Sequence, residues 1–402
     1  DLVRLLRSLY GLKVSPRKWF DTYRVFLESI GWQMCEREPG LFRKGSMLLS
    51  IYVDDTIMCG PCEAEVNRER DLILEKFPGK IIHPELEGSW KVWDVLGADV
   101  RYNQRERKLK ITMERAIDRL LKKFNMDNCA IKSSPCINID ITSGKEVKDF
   151  PIRSLVGGLQ YISTMCRSDI VFALQRVARN MHKCTDATVN AGKRILAYLK
   201  GTRSTGLEYS PELESNFKNV YGDVAKKGGH ELPDLVAFTD SDFAGCSVTL
   251  RSTSGSILYY RGTPIVWSSK RQTVRAASTC EAEYVALYDV IRLSQNQGFL
   301  DWFLHEKELP LIFSDNKSAL DLAKSSVVTK RSKHMNLRYH LVRDHFKDLC
   351  YCPTDINKAD PLTKPLVSSK YISLFKTADV SGSPDSSEYY KSHYVTIDSL
   401  VQ

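Results

Sequence analysis

The chain has 402 residues, enough for two or three domains that each bury a hydrophobic core. Its hydrophobic fraction of 43% excludes a disordered chain, and it contains neither a secretory signal nor an apolar run long enough to predict a membrane-spanning helix. Lysine and arginine number 58 against 49 acidic residues, and the net charge of +9 favours an anionic partner such as nucleic acid.

The first part of the chain predicts a mixture of helices and strands. Residues 1–34 have a helical pattern that breaks at 11–16, where Pro16 suits the first turn of a helix. The elements predicted after this break are a hairpin formed by Gly40 to Lys44 and Leu48 to Met58, a charged helix from Glu63 to Phe77, a strand from Leu109 to Ile111 and a basic helix from Arg115 to Phe124.

Two polar stretches then separate different patterns. Residues 127–150 predict an irregular linker, 154–200 predict helices, and 212–234 predict a second boundary. Beyond this boundary the predicted elements are strands at Leu235 to Thr239, Ser252 to Gly262, Pro264 to Ser268 and Leu311 to Ser314, with a long helix from Glu281 to Leu304 and another helix from Asn316. The Ser-, Tyr- and Asp-rich residues 369–402 predict a disordered tail.

The 11 cysteines are scattered, which indicates reduced thiols in a cytosolic or nuclear setting. Cys59-Gly60-Pro61-Cys62 has the spacing of a redox motif, but no thioredoxin-like alternation follows it. A structural role for this pair is therefore favoured.

The first chemical motif is Tyr52-Val53-Asp54-Asp55. Two carboxylates within an apolar strand are costly unless they are paired, bind a metal or lie at a turn. At the apex of a hairpin they can bind a hard divalent cation, although a plain polar turn is the alternative.

Ordered sequence blocks extend this motif across most of the chain. Ser8 to Trp19 resembles the S-L-Y-G-L-K-Q-S-P-R-x-W signature of copia-type reverse transcriptases, with Val14 at the usual Gln. The blocks that resemble the copia-type RNase H domain are Thr239 to Gly245, Arg251 to Gly255, Trp267 to Gln272, Ser278 to Tyr284, Ser314 to Ala319, Lys333-His334, Arg338 to His340 and Asn357 to Leu366. The chain thus resembles part of a copia-type LTR retrotransposon polyprotein, namely the C-terminal half of a reverse transcriptase joined to an RNase H domain.

This resemblance implies a multi-domain α+β and α/β fold. The implied domains are a partial reverse transcriptase with the rest of the palm and a thumb-like part (1–126), connection or linker helices (127–211), and an RNase H-like mixed sheet with flanking helices (235–368). The remainder of the polyprotein is expected upstream, and the expected location is the cytoplasm or a virus-like particle, with the nucleus as an alternative.

The resemblance also implies a catalytic and metal-binding set formed by Asp240, Glu283, Asp315 and Asp360. Carboxylates at the ends of elements can converge over one end of a sheet, where two Mg²⁺ or Mn²⁺ ions would neutralise them and drive phosphodiester hydrolysis. Asp242 competes with Asp240, and Glu281 competes with Glu283. We prefer Asp240 because it directly follows an apolar run, and Glu283 because the family pattern places the ligand there.

The expected partner is an RNA–DNA hybrid or another nucleic acid, contacted by Gly11, Lys270, Arg271 and Arg275. Asp54 and Asp55 are the expected metal ligands of a polymerase remnant, for which the family's third carboxylate lies upstream of Tyr10. We therefore expect no primer extension by this chain. Departures such as Ser168 for the Pro of R-P-D favour, as the alternative, a catalytically inert nucleic-acid-binding relic.

Overall fold

The computed structural model describes residues 11–246, 248–304, 309–325 and 336–366, so the predicted tail at 369–402 and His334 lie outside the described residues. The helices are α1 (Ser15–Ser29), α2 (Glu63–Lys76), α3 (Glu114–Lys123), α4 (Ile152–Met165), α5 (Val171–Arg179), α6 (Asp186–Gly201), α7 (Pro211–Lys227), α8 (Thr279–Gln295), α9 (Phe299–Leu304), α10 (Lys317–Lys324) and α11 (Asn336–Asp344).

The strands form three sheets. They are β1 (Gln33–Met34), β2 (Leu41–Lys44), β3 (Met47–Tyr52), β4 (Asp55–Cys59), β5 (Glu85–Glu87), β6 (Trp90–Val95), β7 (Ala98–Asn103), β8 (Lys108–Thr112), β9 (Leu207–Tyr209), β10 (Leu235–Asp242), β11 (Thr253–Tyr260), β12 (Thr263–Arg271), β13 (Leu311–Ser314) and β14 (Leu349–Tyr351).

The chain divides into two compact units. Of the described residues, the first unit contains 11–83 and 297–304, and the second contains the rest. The division falls at residue 83, earlier than the predicted end of the first domain at residue 126. The predicted mixed α and β fold class is confirmed.

The first unit is an antiparallel sheet of order β1-β2-β3-β4 with helices α1, α2 and α9. Its core contains Leu27, Trp32, Phe42 and Leu49, each almost fully buried. The buried carboxylate of Glu69 accepts hydrogen bonds from Lys44 at 2.7 Å and from the Trp32 indole at 3.1 Å, so its charge is paired. The helical segment predicted to reach residue 34 is shorter in the structure, because α1 ends at Ser29 and strand β1 follows.

The second unit begins with the antiparallel sheet β5-β6-β7-β8-β9. Of these strands, only β8 is predicted from the sequence, as the strand from Leu109 to Ile111. Leu96 and Gly97 both have positive φ, at 52° and 78°, as a two-residue hairpin turn requires. Leu-Gly is a weak turn signal, which explains why β6 is missed.

Helices α4 to α6 confirm the predicted helical segment, and they surround a buried polar network. The Arg167 guanidinium, which is fully buried, donates to both carboxylate oxygens of Asp169 at 2.8 and 2.7 Å and to the Thr202 carbonyl at 2.8 Å. Tyr198 donates to the same Asp169 carboxylate at 2.8 Å. The network joins the end of α6 to the turn after α4. Within it, each buried charge has hydrogen-bond partners.

The third sheet has the order β12-β11-β10-β13-β14. Strand β10 pairs antiparallel with β11 and parallel with β13, which itself pairs parallel with β14. This is the predicted mixed sheet, and its core includes Phe238, Tyr259 and Phe313.

Two predictions for this region are wrong. Residues 212–234 are not a plain boundary, because α7 occupies Pro211–Lys227 and packs Phe217 and Tyr221 into the same core as the sheet. Ser210 caps this helix by accepting from the Leu213 amide, and Pro211 occupies its first turn. The predicted helix from Glu281 to Leu304 is interrupted, since α8 ends at Gln295 and α9 begins at Phe299.

We predict that Phe217→Ala destabilises the second unit by about 3–5 kcal/mol, because it removes a buried aromatic ring from the core of the third sheet. Val220→Ala on the same helix is the control, since Val220 is exposed and its truncation should cost far less. Urea unfolding of both variants tests this, and equal midpoints would contradict the packing of α7.

Candidate active site

Strand pairing sets two of the acidic residues side by side. In the parallel pair of β10 and β13, Phe238 lies opposite Phe313. Asp240 and Asp315 each follow this pair by two residues, and the two strands run in the same direction. Both carboxylates therefore lie toward the same end of the sheet. Asp240 lies within β10 rather than at its end, because the strand continues to Asp242.

Helix α8 supplies the third carboxylate. Ser278 caps the helix by accepting from the Glu281 amide, and the Glu281 carboxylate accepts from the Ala277 amide at 2.7 Å. Glu281 is thereby used as a cap at the surface, while Glu283 is buried against the sheet. Carboxylate oxygens of Asp240, Glu283 and Asp315 lie within 4.8 Å of one another. The geometry therefore favours Asp240 and Glu283 over their competitors Asp242 and Glu281.

The fourth carboxylate arrives on a short turn after β14. Asn357 fixes this turn to the sheet, because its side-chain amide donates to the Thr239 carbonyl at 3.0 Å. Fully buried Asp360 then begins a 3₁₀ turn, and Thr363 donates its hydroxyl to the Asp240 carboxylate. The turn lies so close to β11 that a Cβ on Gly255 would come within 2.7 Å of the Thr363 side chain.

Lys364, which is not predicted as a site residue from the sequence, lies among these groups. The ammonium of Lys364 forms an ion pair with Asp360 and lies 3.9 Å from the Asp240 carboxylate. Burial lowers the pKa of Lys364, but the charges of Asp240 and Asp360 outweigh it and raise the pKa above its ordinary value. The available signal was the spacing of Thr363 and Lys364, one helical turn after Asp360.

Burial and mutual repulsion disfavour ionisation of two of the clustered carboxyls, Glu283 and Asp240. Burial, with Asp240 and Asp315 as further causes, raises the pKa of Glu283 to about 9, although hydrogen bonds from Ser241 oppose this. Burial also raises the pKa of Asp240 to about 6, against the attraction of Lys364. A cluster of this kind gains most from a bound cation.

The residues present fit a divalent cation. Oxygens within 4.8 Å of one another fall in the span that ligand distances of roughly 2.0–2.6 Å to one ion allow. The Ser241 amide and hydroxyl donate to Oε1 of Glu283 at 3.0 and 2.8 Å, which orients the carboxylate. Its buried Oε2 has no hydrogen-bond partner among the described residues, and it is the atom free to act as a ligand.

The predicted strand from Leu48 to Met58 is divided into β3 and β4, and Asp54 lies in the hairpin turn between them, where Tyr52 pairs with Asp55. Val53 holds a positive φ of 60°, a strained conformation for a β-branched residue. The indole of Trp19 donates to the Val53 carbonyl at 2.9 Å and thereby ties α1 to the turn. Within the described part of the chain, no third acidic, His or Cys ligand joins this pair, so its metal role stays a prediction.

The predicted nucleic-acid contacts lie in different places. Gly11 is exposed with a φ of 91°, which is sufficient reason for glycine before α1. Successive strand residues point to opposite faces, so Lys270 and Arg271 cannot share one phosphate. Arg275 is exposed in the loop that leads to α8.

A second arginine accompanies Arg271. Arg271 donates to the Cys246 sulfur at 3.6 Å. Burial lowers the pKa of Arg179 on α5, and the nearby charge of Arg271 lowers it further, so these two cations lie close together. Arg179 has no motif around it in the sequence, and only the packing of α5 against β12 brings it here.

Several basic side chains elsewhere in the second unit, and the thiol of Cys59 in the first, have structural surroundings. Arg194 donates to Ser134 at 3.1 Å and Lys200 to the Cys129 carbonyl at 2.8 Å, so both hold the irregular segment that precedes α4. His345 lies 3.3 Å from the Asp348 carboxylate. Burial raises the pKa of Cys59, the opposite of what a redox-active thiol needs.

Comparison with known proteins gives consistent matches. Residues 1–138 match the family model described as "Reverse transcriptase (RNA-dependent DNA polymerase)". The chain is 30% identical over 395 residues to the retrovirus-related Pol polyprotein from transposon TNT 1-94 of Nicotiana tabacum, an alignment that covers 92% of this chain and 27% of that protein. It is also 30% identical over 400 residues to the retrovirus-related Pol polyprotein from transposon RE1 of Arabidopsis thaliana, covering 95% and 25%.

A more distant relative is the Ty1-GR1 Gag-Pol polyprotein of Saccharomyces cerevisiae, with 23% identity over 91% of this chain and 21% of that protein. The chain therefore spans about a quarter of the length of the curated relatives it matches.

Solved structures with similarity include the foamy viral protease-reverse transcriptase dRH in complex with double-stranded DNA, at 14% identity, 88% coverage of this chain, 50% of that chain and a TM-score of 0.46. Another is LC11-RNase H1 isolated from compost, at 17% identity, 32% and 92% coverage, and a TM-score of 0.25. Within the described residues, no helix combines the length and apolar character needed to cross a lipid bilayer.

We predict that, with chelator present, Glu283→Gln stabilises the second unit increasingly as the pH rises from 6.5 to 9. A carboxyl whose pKa is raised in the folded state contributes stability below its unfolded pKa and loses it as the pH passes through the folded value, here about 9. The amide cannot ionise, so it avoids this loss. Each kcal/mol relieved should raise the melting temperature by roughly 2–4 °C.

Thermal melts of the parent and variant at several pH values test this. The pairwise difference removes the contribution of titrating groups that do not interact with Glu283. A difference in melting temperature that stays flat or shrinks between pH 6.5 and 9 would refute the electrostatic account of Glu283.

Proposed function

We propose that this chain, which belongs to the copia-type retrotransposon Pol polyproteins, hydrolyses the RNA strand of RNA–DNA hybrids with two Mg²⁺ or Mn²⁺ ions. The observation that carries the proposal is the convergence of three carboxylates within 4.8 Å, with a buried Glu283 oxygen that lacks a hydrogen-bond partner among the described residues. Buried carboxylates arranged in this way are costly without a cation.

Each side chain has a role that its contacts support. Asp240, Glu283 and Asp315 would hold the first ion, and Asp360 with Asp240 would hold the second. Ser241 orients Glu283, while Thr363 orients Asp240. Bound divalent ions would supply an activated water and charge stabilisation at the scissile phosphodiester.

The positive charges of nearby arginines support an RNA–DNA hybrid as the proposed partner. A-form-like duplexes are recognised mainly through their backbone and 2′-hydroxyls, so cations near the carboxylates should guide the hybrid. Arg271 with the adjacent Arg179 provides one concentrated positive site, and exposed Arg275 provides a second contact. For the first unit, we infer a polymerase remnant in which Asp54 and Asp55 would bind a metal.

We predict that Asp240→Asn lowers Mg²⁺-dependent cleavage of a hybrid by more than the roughly 10–100-fold that loss of an outer-shell partner costs. The amide keeps the shape of the side chain but loses the charge that holds the ion. Glu281→Gln is the matched control, because Glu281 caps α8 at the surface and its amide can still accept the Ala277 hydrogen bond. Cleavage of labelled hybrid and duplex DNA by the full chain measures both effects.

Two results would oppose this proposal. Loss of cleavage in Glu281→Gln with retention in Asp240→Asn would move the site to the competing acids. A folded parent chain that binds the cation but leaves the hybrid intact would support an inert nucleic-acid-binding relic.

We predict that Arg271→Gln lowers the salt dependence of hybrid binding by roughly one in the slope of log Kd against log salt, as expected for one lost phosphate contact. Lys226→Gln is the control, since Lys226 is an exposed lysine in the last turn of α7. Titrations at several salt concentrations measure the slopes. Identical slopes for the parent and Arg271→Gln would remove this residue from the proposed interface.

A further inference from the structure

The carboxylate cluster already contains one positive charge that belongs to the chain. The Lys364 ammonium forms an ion pair with Asp360 and lies 3.9 Å from Asp240. Both acids are almost fully buried, whereas 36% of the Lys364 side chain is exposed. A flexible, partly exposed lysine can leave such a position more easily than its buried partners can.

The cluster is therefore electrostatically uneven. The side between Asp240 and Asp360 is neutralised in part by Lys364, whereas the side of Glu283 has a buried oxygen without a hydrogen-bond partner among the described residues. At Glu283 and Asp315, a divalent cation meets carboxyl groups that form no ion pair with an ammonium among the described residues. On the Asp360 side it meets an ammonium of the same sign.

The turn that carries Lys364 does not need this ion pair for its position. Asn357 anchors the turn to β10, the Ala359 amide donates to the Asn357 side chain at 3.0 Å, and the Thr363 amide donates to the Asp360 carbonyl at 3.3 Å. None of these contacts uses the Lys364 side chain, so its ammonium can move without releasing the turn.

We propose that Lys364 acts as a built-in cation that occupies the Asp240–Asp360 side of the site, so that one divalent ion binds tightly and a second binds only when the ammonium moves away. This inference rests on the proposed metal-dependent function. It makes Lys364 a positioning residue that sets how many ions the site holds at a given concentration.

The experiment measures Mn²⁺ binding to the full chain by calorimetry and by the electron paramagnetic resonance signal of free Mn²⁺. Asp54→Asn and Asp55→Asn are present throughout, so that the hairpin carboxylates of the first unit do not contribute. The parent in this background should bind one Mn²⁺ tightly. Lys364→Met, of similar length but neutral, should bind the second Mn²⁺ about tenfold more tightly, since a like charge has been removed from its site.

Two controls separate charge from shape and from general destabilisation. Lys364→Arg keeps the charge and should retain the parent isotherm. Lys218→Met removes another ion-paired lysine, 2.6 Å from Glu214 on α7, and should also leave Mn²⁺ binding unchanged. Circular dichroism checks folding, and Lys364→Gln is the second neutral variant if Lys364→Met does not fold.

The outcomes distinguish the two proposals. Tighter second binding in a neutral variant supports the built-in cation, because simple structural damage would weaken binding. Unchanged or weaker binding in both neutral variants, or tighter binding in Lys364→Arg, overturns it. If Glu283→Gln keeps the tight ion of the parent, the proposed active site itself fails; if Glu283→Gln loses that ion while Lys364→Met changes nothing, only the role of Lys364 fails.

Discussion

Repulsion among buried carboxylates is the constraint on which the second unit depends. Asp240, Glu283 and Asp360 are each at least 95% buried, so water does little to screen them. The contacts around them are those needed to hold such a cluster: Ser241 on Glu283, Thr363 and Lys364 on Asp240, and the Asn357 anchor beneath Asp360. Gly255 belongs to the same arrangement, because any side chain there would push the Asp360 turn away from the sheet. Sequence segments that are far apart therefore contribute to one cluster of interacting charged groups.

A second buried polar network lies in the helical segment of the second unit, away from the candidate catalytic residues. Arg167, Asp169, Tyr198 and Thr202 satisfy one another inside the helical part of the second unit. A buried guanidinium without its carboxylate would be far more costly than an apolar pair, so these residues are needed together or not at all. Next to this network, the Trp267 indole on β12 donates to the Ser163 carbonyl on α4 at 3.1 Å. The helices of this segment are therefore continuous with the third sheet, which accords with their place in one compact unit.

The sequence allowed the acidic cluster to be predicted better than the elements around it. Asp240 follows an apolar run and the family pattern marks Glu283, so both could be chosen from local sequence, and β10 and β13 have unmistakable apolar runs. Helix α7 was missed because the polar residues between Leu213, Phe217, Tyr221 and Ala225 hid their helical spacing. Strand β5 is exposed along its length and has no periodic pattern to read. Arg179 was missed for a different reason: its neighbour Arg271 comes from a distant segment, and no local pattern encodes such a meeting. Lys364 has a local signal in its spacing from Asp360, but its approach to Asp240 depends on a distant strand.

The two acidic sites of the chain are built on opposite physical principles. Asp54 and Asp55 lie exposed at a turn, where solvent stabilises their charges and no neighbouring group is required. Asp240 and Glu283 lie buried, where ionisation depends on an added positive charge. At an exposed turn, few contacts hold the carboxylates in a fixed arrangement. Buried carboxylates are held in position by their neighbours before any ion binds. This difference explains why the cluster in the second unit has a definite shape in isolation, while the hairpin pair would need a further ligand to define a metal site.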